Sequence, residues 1–237
     1  MSNIRIFVSH RIDIDSETVD TPVYFPVRCG AVYDEEGNSE IQGDDTGDNI
    51  SKLRMSFCEF TVQYWAWKNV DADYYGLCHY RRYLSFSDKR YKNTAFNMVR
   101  ELRLTAHEKK KYHLDDTKKI NIVVQKYDMI IPELAKASEM SYNRAEVKTL
   151  REMWESYNGV YFEQGIIDKM FSLIKEYSPE YYNSACEYFS GKYHRAFNCY
   201  IMKKELFVRM CEFQFPIMKR ITEITDCKTY ERALPGT

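Results

Sequence analysis

Several patterns that identify common protein classes are absent from this sequence. No apolar run approaches the roughly 18–20 residues that a membrane-spanning helix needs. No GxxxxGK(S/T) loop is present, which argues against a phosphotransferase or hydrolase that cradles a nucleotide in such a loop. The seven cysteines form no CxxC pair and no His–Cys metal spacing. A formal net charge of −1 argues against a nucleic-acid partner, since such proteins neutralise many phosphates with Lys and Arg.

The chain is rich in apolar and aromatic residues. Apolar residues make up 44% of its 237 residues, which is ample for one large domain or one domain with an insertion. Its 20 tyrosines suit a cleft for sugar rings, although a tyrosine-rich core and surface account for them more simply. The first residues carry no secretory signal pattern, so we expect a cytoplasmic protein with reduced thiols.

Residues 43–84 are the stretch around which the rest of the chain is organised. An acidic turn with capping-type Asp and Asn residues precedes a helical pattern. Aromatic residues at intervals of three and four predict one apolar face of a single helix, and they are Phe57, Phe60, Tyr64 and Trp67. Residues 74–78 are short and apolar enough for a buried strand, and His79, Tyr80, Arg81 and Arg82 follow directly. Because ligands in open α/β sheets bind beyond the carboxyl ends of strands, this polar cluster predicts an anion site.

Arg28 is the one charged residue in the apolar segment of residues 23–32. A buried or cleft arginine usually has an anionic partner. The partner is either a nucleotide phosphate or a carboxylate of the acidic turn, which contains Asp44, Asp45 and Asp48.

The later part of the chain alternates charged and apolar segments. Residues 85–119 are heavily charged and predict one or two exposed helices inserted after the central strand. Residues 127–131 predict a second interior strand, and helical patterns cover residues 135–176 and begin again near residue 203. Polar residues precede a late buried strand and form a second candidate cluster of His194, Arg195 and Asn198.

Several segments resemble a known family. They are GDDTGDNIS (residues 43–51), FCEFTVQYWAWKN (57–69) and GLCHYRRYL (76–84), with further likeness in YDMIIP, YSPEYY and FNCYIMKKELF. These segments closely resemble the hallmark sequences of a bacterial family of capsule and O-antigen biosynthesis. That family is grouped with GT-A-fold glycosyltransferases and includes galactofuranosyltransferase domains of bifunctional O-antigen polymerases.

The resemblance implies both a fold and a reaction. The fold is α/β, a GT-A-like (Rossmann-related) single domain over residues 1–237, with a mixed central sheet flanked by helices and a charged helical insertion at 85–119. The reaction is transfer of a sugar, with galactofuranose as the candidate, from a UDP-linked donor to a growing surface polysaccharide. Residues 230–237 resemble the start of the family's closing motif, so we expect the last helix to be missing from this chain.

The resemblance also implies which residues contact the substrates. In a GT-A-like sheet the strand ends face the nucleotide, so the expected donor-binding residues are Ser9, His10, Arg28, Asp44, Arg81 and Arg82. The expected sugar- and acceptor-binding residues are Tyr80, His194, Arg195 and Asn198.

The segment His79–Arg82 stands where most GT-A enzymes have an Asp-x-Asp that holds a divalent metal on the diphosphate. Carboxylates bind Mg²⁺ or Mn²⁺, whereas guanidinium groups bind phosphate directly and in bidentate fashion. We therefore expect a transfer without a metal or other cofactor, in which Arg81 or Arg82 stabilises the departing diphosphate.

An inverting transfer, as known for furanosyl transfer in this family, needs a base for the acceptor hydroxyl. The candidates are Asp44, Asp45, Asp48, Glu59, His79, Asp128 and His194. Asp48 fits a helix cap as well, and we favour Asp45. The expected catalytic set is therefore Asp45, Asp48, His79 and Arg81.

Two further points stay open from the sequence. A module that binds nucleotide sugars or glycans without turnover would keep the same aromatic residues and arginines. A lipid-linked glycan acceptor would bring the protein to the inner face of the membrane, with peripheral contact as the consequence.

Overall fold

The computed structural model describes residues 2–13, 17–19, 21–35, 40–91, 94–96, 98–99, 101, 103–195 and 197–225. The expected closing motif at residues 230–237 lies outside these residues. The chain divides into two compact units. The first unit comprises Met1–Glu133 and Phe197–Arg209, and the second comprises Leu134–Ala196 and Met210–Thr237.

The strands and helices follow one another in a mixed order. The first unit begins with β1 (Ile4–Arg11), β2 (Tyr24–Cys29), β3 (Gln42–Gly43), α1 (Arg54–Phe57), α2 (Phe60–Asn69), β4 (Tyr74–His79), β5 (Tyr83–Leu84), β6 (Thr94–Ala95), β7 (Met98–Val99), α3 (Ala106–Lys111), α4 (Thr117–Val124) and β8 (Met129–Ile130). The second unit continues with β9 (Leu134–Lys136), α5 (Ala137–Met140), α6 (Leu150–Glu155), α7 (Ile166–Tyr177), α8 (Tyr182–Ser190) and β10 (Tyr193–Arg195). The chain ends its described part with β11 (Tyr200–Lys203) and α9 (Lys204–Ile224).

A mixed six-stranded sheet in the order β3-β2-β1-β4-β11-β8 is the framework of the first unit. The strands β1 to β4 pair in parallel, with Ser9 level with His79 and His10 level with Arg28. β11 runs antiparallel to both β4 and β8. The carboxyl ends of β2, β1 and β4 and the start of β11 therefore share one edge of the sheet. The predicted fold class, a mixed α/β sheet with flanking helices, is confirmed.

The observed sheet differs from the prediction in the place of the strand at residues 127–131. The observed strand β8 is the last in the sheet order and pairs with β11 on one side, so it is an edge strand and not an interior one. Its Met129 side chain is accordingly 45% exposed. The apolar composition of the segment misled the prediction, since an edge strand can carry the same residues as a buried one.

The predicted single aromatic helix is divided into two. α1 ends at Phe57 and α2 begins at Phe60, because Cys58 adopts a φ of +46° that a helix does not allow. α2 packs on the sheet through Trp65, whose ring is stacked on Phe25 at 6.2 Å and meets Phe7 edge-on at 6.3 Å.

Residues 85–119 contribute more to the core than the prediction of exposed helices implies. The segment contains α3 and the start of α4, but β6 and β7 also join β5 in a small three-stranded sheet. Its apolar side chains belong to the main hydrophobic cluster of the first unit, and they include Phe86, Met98, Leu104, Tyr112 and Leu114. Charged residues separate these apolar side chains in the sequence, so their contribution to the core was not predicted.

The second unit is mainly helical and has its own apolar clusters. Leu150 and Met153 of α6 pack with Ala137 of α5, and Leu173 and Ile174 of α7 form a further cluster. Among the described residues, no helix combines the length and the apolar character that crossing a membrane requires.

The aromatic stack under β4 allows a test of the first-unit core. Phe207 is 1% exposed, and its ring lies parallel to that of Tyr75 at 4.3 Å. We expect Phe207→Ala to lower the free energy of unfolding by about 3–5 kcal/mol, because it removes the buried ring and leaves a cavity. Tyr127→Ala, at a side chain that is 56% exposed, should change it by less than about 0.5 kcal/mol. Urea denaturation of both variants measures the difference, and equal losses would contradict the packing.

Candidate functional site

A tight turn at the carboxyl end of β4 presents the predicted anion-binding residues. The backbone N–H of His79 donates to the Arg82 carbonyl at 3.1 Å, and the N–H of Arg82 donates to the His79 carbonyl at 2.8 Å. Tyr80 and Arg81 therefore form the tip of a two-residue turn. The N–H of Tyr80 donates to the Ser9 carbonyl at 3.1 Å, which ties the tip to the end of β1.

Arg81 is an exposed cation at this tip. Its guanidinium carbon lies 5.0 Å from the centre of the Tyr80 ring, close enough for a cation–π contact. Within the part of the chain that the structure describes, Arg81 makes no ion pair with a carboxylate. Arg82 lies over the Phe197 ring at 4.6 Å. Both arginines are therefore held by aromatic faces, and the charge of Arg81 is available to a ligand.

Two histidines at this edge are kept neutral by their surroundings. Burial, together with the charges of Arg82 and Arg81, lowers the pKa of His79 to about 3. The Nδ1 of His79 accepts the Arg81 N–H at 3.2 Å. Burial lowers the pKa of His10 to about 4, and this side chain is 2% exposed. A neutral His79 with so low a pKa is a poor proton acceptor, so its contacts are those of a residue that shapes the turn.

The carboxylate of Asp44 is enclosed and fully hydrogen bonded. The backbone N–H groups of Gly30 and Ala31 each donate to it at 2.9 Å. The hydroxyl of Ser51 donates at 2.6 Å, and that of Thr61 donates as well. With 0% exposure and four donors, this carboxylate joins β2, the acidic turn and α2. We therefore leave Asp44 out of the residues that contact a ligand.

Arg28 has a carboxylate partner that lies outside the acidic turn. Its guanidinium pairs with Asp34 and donates from Nε to the Ile41 carbonyl at 3.0 Å. The partner is thus neither Asp44, Asp45 nor Asp48. Both partners belong to the segment that follows β2, and no local sequence pattern predicts these contacts.

The other two aspartates of the acidic turn differ in their contacts. Asp48 accepts a hydrogen bond from the Tyr64 hydroxyl at 3.2 Å, and Asn69 binds its backbone. Asp48 does not cap a helix. The chain enters α1 through a 3-10 turn at Ser51–Leu53, whose cap position is Ile50 and has no side-chain hydrogen bond. Asp45 is exposed, and within the described part of the chain its carboxylate accepts no hydrogen bond.

A pair of residues distant in sequence meets at the same sheet edge. The side-chain amide of Asn198 donates to the Glu59 carboxylate at 3.0 Å, across 139 residues. Asn198 stands two residues before β11, and Glu59 immediately precedes α2. The sequence identified Glu59 and Asn198 separately, as one of several base candidates and as an acceptor-binding residue, but nothing in it linked the two.

Two further predicted residues lie in the second unit, whereas the base candidate Asp128 lies in the first and pairs with Lys203 at 2.6 Å. His194 and Arg195 belong to β10, which pairs with β9, so the predicted cluster of His194, Arg195 and Asn198 is divided between the units. Burial lowers the pKa of His194, which is 7% exposed. The second unit also contains a cavity of about 520 Å³ between α6, α7 and α8, and its lining includes Arg151, Lys175 and Tyr182 but neither His194 nor Arg195.

The residues at the end of β4 do not fit a divalent cation. The turn offers guanidinium groups, which donate hydrogen bonds and repel cations, where a metal site needs carboxylates. Within the described ranges, no three His, Cys, Asp or Glu side chains come together as metal ligands.

Comparisons with known proteins agree with this architecture. A family model described as "Domain of unknown function (DUF4422)" matches residues 5–234. No curated protein gives a significant match. A similar solved structure is the apo form of the WbbM bifunctional glycosyltransferase, with a TM-score of 0.81 and 24% identity over 99% of this chain. The chain spans 40% of the length of that protein's chain. At this identity the likeness establishes the fold.

The buried His10 predicts a pH dependence of stability. Its pKa is about 4 in the folded protein and near 6.5 when unfolded, so the unfolded chain binds more protons between these values and stability falls as pH falls. Between pH 7 and pH 5 we expect His10 to contribute a loss of ~2 kcal/mol. The His10→Asn variant should lose less by that amount over the same range, as measured by urea denaturation at both pH values. Parallel losses in the two proteins would contradict the buried, neutral state of His10.

Adjacent aspartates provide a matched test of the Asp44 network. We expect Asp44→Asn to lower the free energy of unfolding by about 2–5 kcal/mol, because an amide replaces one acceptor oxygen with donors and leaves buried partners unsatisfied. Asp45→Asn, at an exposed side chain, should change it by less than about 0.5 kcal/mol. Chemical denaturation of the two variants makes the comparison. If they were equally stable, Asp44 would not hold the surrounding segments together.

Proposed function

This chain belongs to the family described as Domain of unknown function (DUF4422), and from that premise we propose that it is a glycosyltransferase. It transfers a sugar from a nucleotide-diphosphate donor to a glycan acceptor. The oxygen of the acceptor hydroxyl attacks the anomeric carbon, and the bond from that carbon to the diphosphate oxygen breaks. The nucleoside diphosphate leaves with the electron pair, and the hydroxyl proton passes to a base. The fold shared with a glycosyltransferase supports this reaction class.

One observation carries the proposal, and it is the exposed Arg81 at the carboxyl end of the central strand β4. Negative charge develops on the leaving diphosphate in the transition state, and a preorganised cation at that point lowers its energy. The guanidinium of Arg81 has no carboxylate partner among the described residues and is held over Tyr80. It therefore meets a diphosphate without first breaking an ion pair.

The neighbouring residues keep Arg81 in place and complete the donor site. His79 stays neutral and accepts the Arg81 backbone N–H. Ser9 fixes the turn through its carbonyl. Arg82, on the other side of the turn, adds a second positive charge near Phe197. Arg28 is neutralised by Asp34, so we assign it to the support of the loop after β2.

The finer identity of the substrates rests on the resemblance of the sequence. We propose UDP-galactofuranose as the donor and a growing surface polysaccharide as the acceptor, with the reaction at the cytoplasmic face of the membrane. Arginine takes the place of the divalent metal, so that no cofactor is needed. Replacement of a metal by guanidinium fits the donor set of the turn, since arginine binds phosphate oxygens in bidentate fashion.

Calorimetric titration with UDP-, GDP- and TDP-sugars, repeated with EDTA, tests the donor class and the absence of a metal. We expect a UDP-sugar to bind with an affinity that EDTA leaves unchanged, and product analysis by mass spectrometry to detect transfer. Loss of binding in EDTA would overturn the metal-free mechanism. Binding without transfer to any glycan acceptor would favour a nucleotide-sugar-binding module.

A variant of Arg81 tests the anion site directly. Arg81→Gln should weaken UDP binding by about 10–100-fold, because it removes a charge-assisted contact worth about 1.5–3 kcal/mol. Arg103→Gln, an exposed arginine in the same unit, is the matched control and should bind UDP as the unmodified chain does. Titration with UDP measures both dissociation constants. Equal affinities in the two variants would remove Arg81 from the donor site.

A further inference from the structure

The contact between Glu59 and Asn198 fixes one oxygen of the carboxylate. An ionised carboxylate accepts hydrogen bonds and donates none, so the Asn198 amide must turn its nitrogen towards Glu59. The bond, 3.0 Å long, occupies Oε1. Within the residues that the structure describes, Oε2 makes no hydrogen bond. One oxygen is therefore fixed and the other is open to a proton donor.

Unusual backbone on both sides holds this pair. Cys58, directly before Glu59, has a φ of +46°, and Phe197, directly before Asn198, has a φ of +67°. Residues other than glycine rarely adopt such angles, and they concentrate at functional sites where the surrounding structure enforces them. The side chains of both partners therefore project from positions that an ordinary helix or strand would not give.

Hydrogen bonds enforce the conformation of Cys58. Its N–H donates to the Arg54 carbonyl at 2.8 Å. The single hydroxyl proton of Thr61 goes to the charged Asp44, and the thiol of Cys29 donates to the Cys58 carbonyl at 3.1 Å. Burial raises the pKa of Cys29 to about 12, so the thiol keeps its proton. Because the Cys29 Sγ also lies 3.4 Å from the Thr61 hydroxyl, it connects the Asp44 network to the residue directly before Glu59.

The positions of Glu59 and Asn198 relative to Arg81 favour Glu59 over Asp45 as the base for the acceptor hydroxyl. Asn198 precedes β11, whose Tyr200 pairs with Leu77 of β4, so the amide lies beside the end of β4, where the turn with Arg81 begins. Adjacent strands are about 5 Å apart. Asp45 follows β3, which is three strand spacings from β4 in the sheet order, or roughly 14 Å.

We propose that Glu59 is the general base of the transfer and that Asn198 is the residue that positions it, an inference that rests on the proposed function. The acceptor hydroxyl gives its proton to Oε2 of Glu59 while its oxygen bonds to the anomeric carbon of the donor. The bond to the diphosphate breaks, and its electron pair goes to the diphosphate oxygen beside Arg81. Glu59 then releases the proton to solvent and is ready for another cycle.

The decisive variant is Glu59→Gln, assayed with UDP-galactofuranose as donor and an octyl galactoside as acceptor. We expect kcat to fall by about 10²–10⁴-fold, the usual contribution of a general base. The dissociation constant of UDP should change by less than about threefold, because the base does not hold the nucleotide. Glu59→Asp should recover part of the rate. Glu205→Gln, the same substitution at an exposed position in the first turn of α9, should leave kcat unchanged.

A double-mutant cycle separates positioning from a structural role at Asn198. Asn198→Ala alone should lower kcat, because Oε1 of Glu59 loses the donor that fixes it, but in the Glu59→Gln background it should lower kcat no further. A purely structural residue would lower the rate equally in both backgrounds.

Each other outcome overturns a defined part of the proposal. Full activity in Glu59→Gln, with activity lost in Asp45→Asn, would assign the base to Asp45 and leave the glycosyltransferase intact. An equal effect of Asn198→Ala with and without Glu59→Gln would remove the positioning role. Failure of the unmodified chain to bind UDP or to transfer sugar would instead overturn the proposed function, and the assignment of Glu59 with it.

Discussion

The buried carboxylate of Asp44 is the interaction on which the edge of the sheet depends. Its four donors come from the two residues that follow β2, from Ser51 in the 3-10 turn before α1, and from α2. A buried charge is tolerated only when its lone pairs are satisfied, so these segments are fixed together. Gly30 supplies one of the donors from a φ of +72°, and a Cβ there would lie 2.1 Å from the Arg54 side chain. The close packing around Asp44 therefore depends on a glycine at this position.

The edge of the sheet carries both charged arginines and neutral histidines. Arg81 and Arg82 carry charge at the end of β4, while burial keeps His10 and His79 neutral. The guanidinium carbons of Arg81 and Arg82 lie 5.0 Å and 4.6 Å from the centres of aromatic rings, and these contacts hold the two charges in place. A cation held in place needs little reorganisation when a leaving group becomes charged, which is the physical basis of electrostatic catalysis. The arrangement supports the proposed transfer without a metal.

The three aspartates of the acidic turn illustrate how one motif divides into separate roles. Asp44 is enclosed, Asp48 bonds to the Tyr64 hydroxyl, and Asp45 is exposed. Their side chains are chemically equal, so burial and neighbours alone distinguish them. A fourth carboxylate, that of Glu59, binds Asn198 beside the end of β4. Its position depends on the interruption of the helix at Cys58.

The elements with local signals could be predicted from the sequence alone. The apolar run of β4, the helical pattern of α9 and the polar cluster from His79 to Arg82 could all be read directly, because each lies within consecutive residues. The partner of Arg28, the burial of Asp44 and the contact between Glu59 and Asn198 are properties of the folded chain that no sequence signal gave. These contacts join residues far apart in the chain, up to 139 positions. No periodicity records such pairings, since they arise from the order of strands in the sheet and the paths of the loops between them.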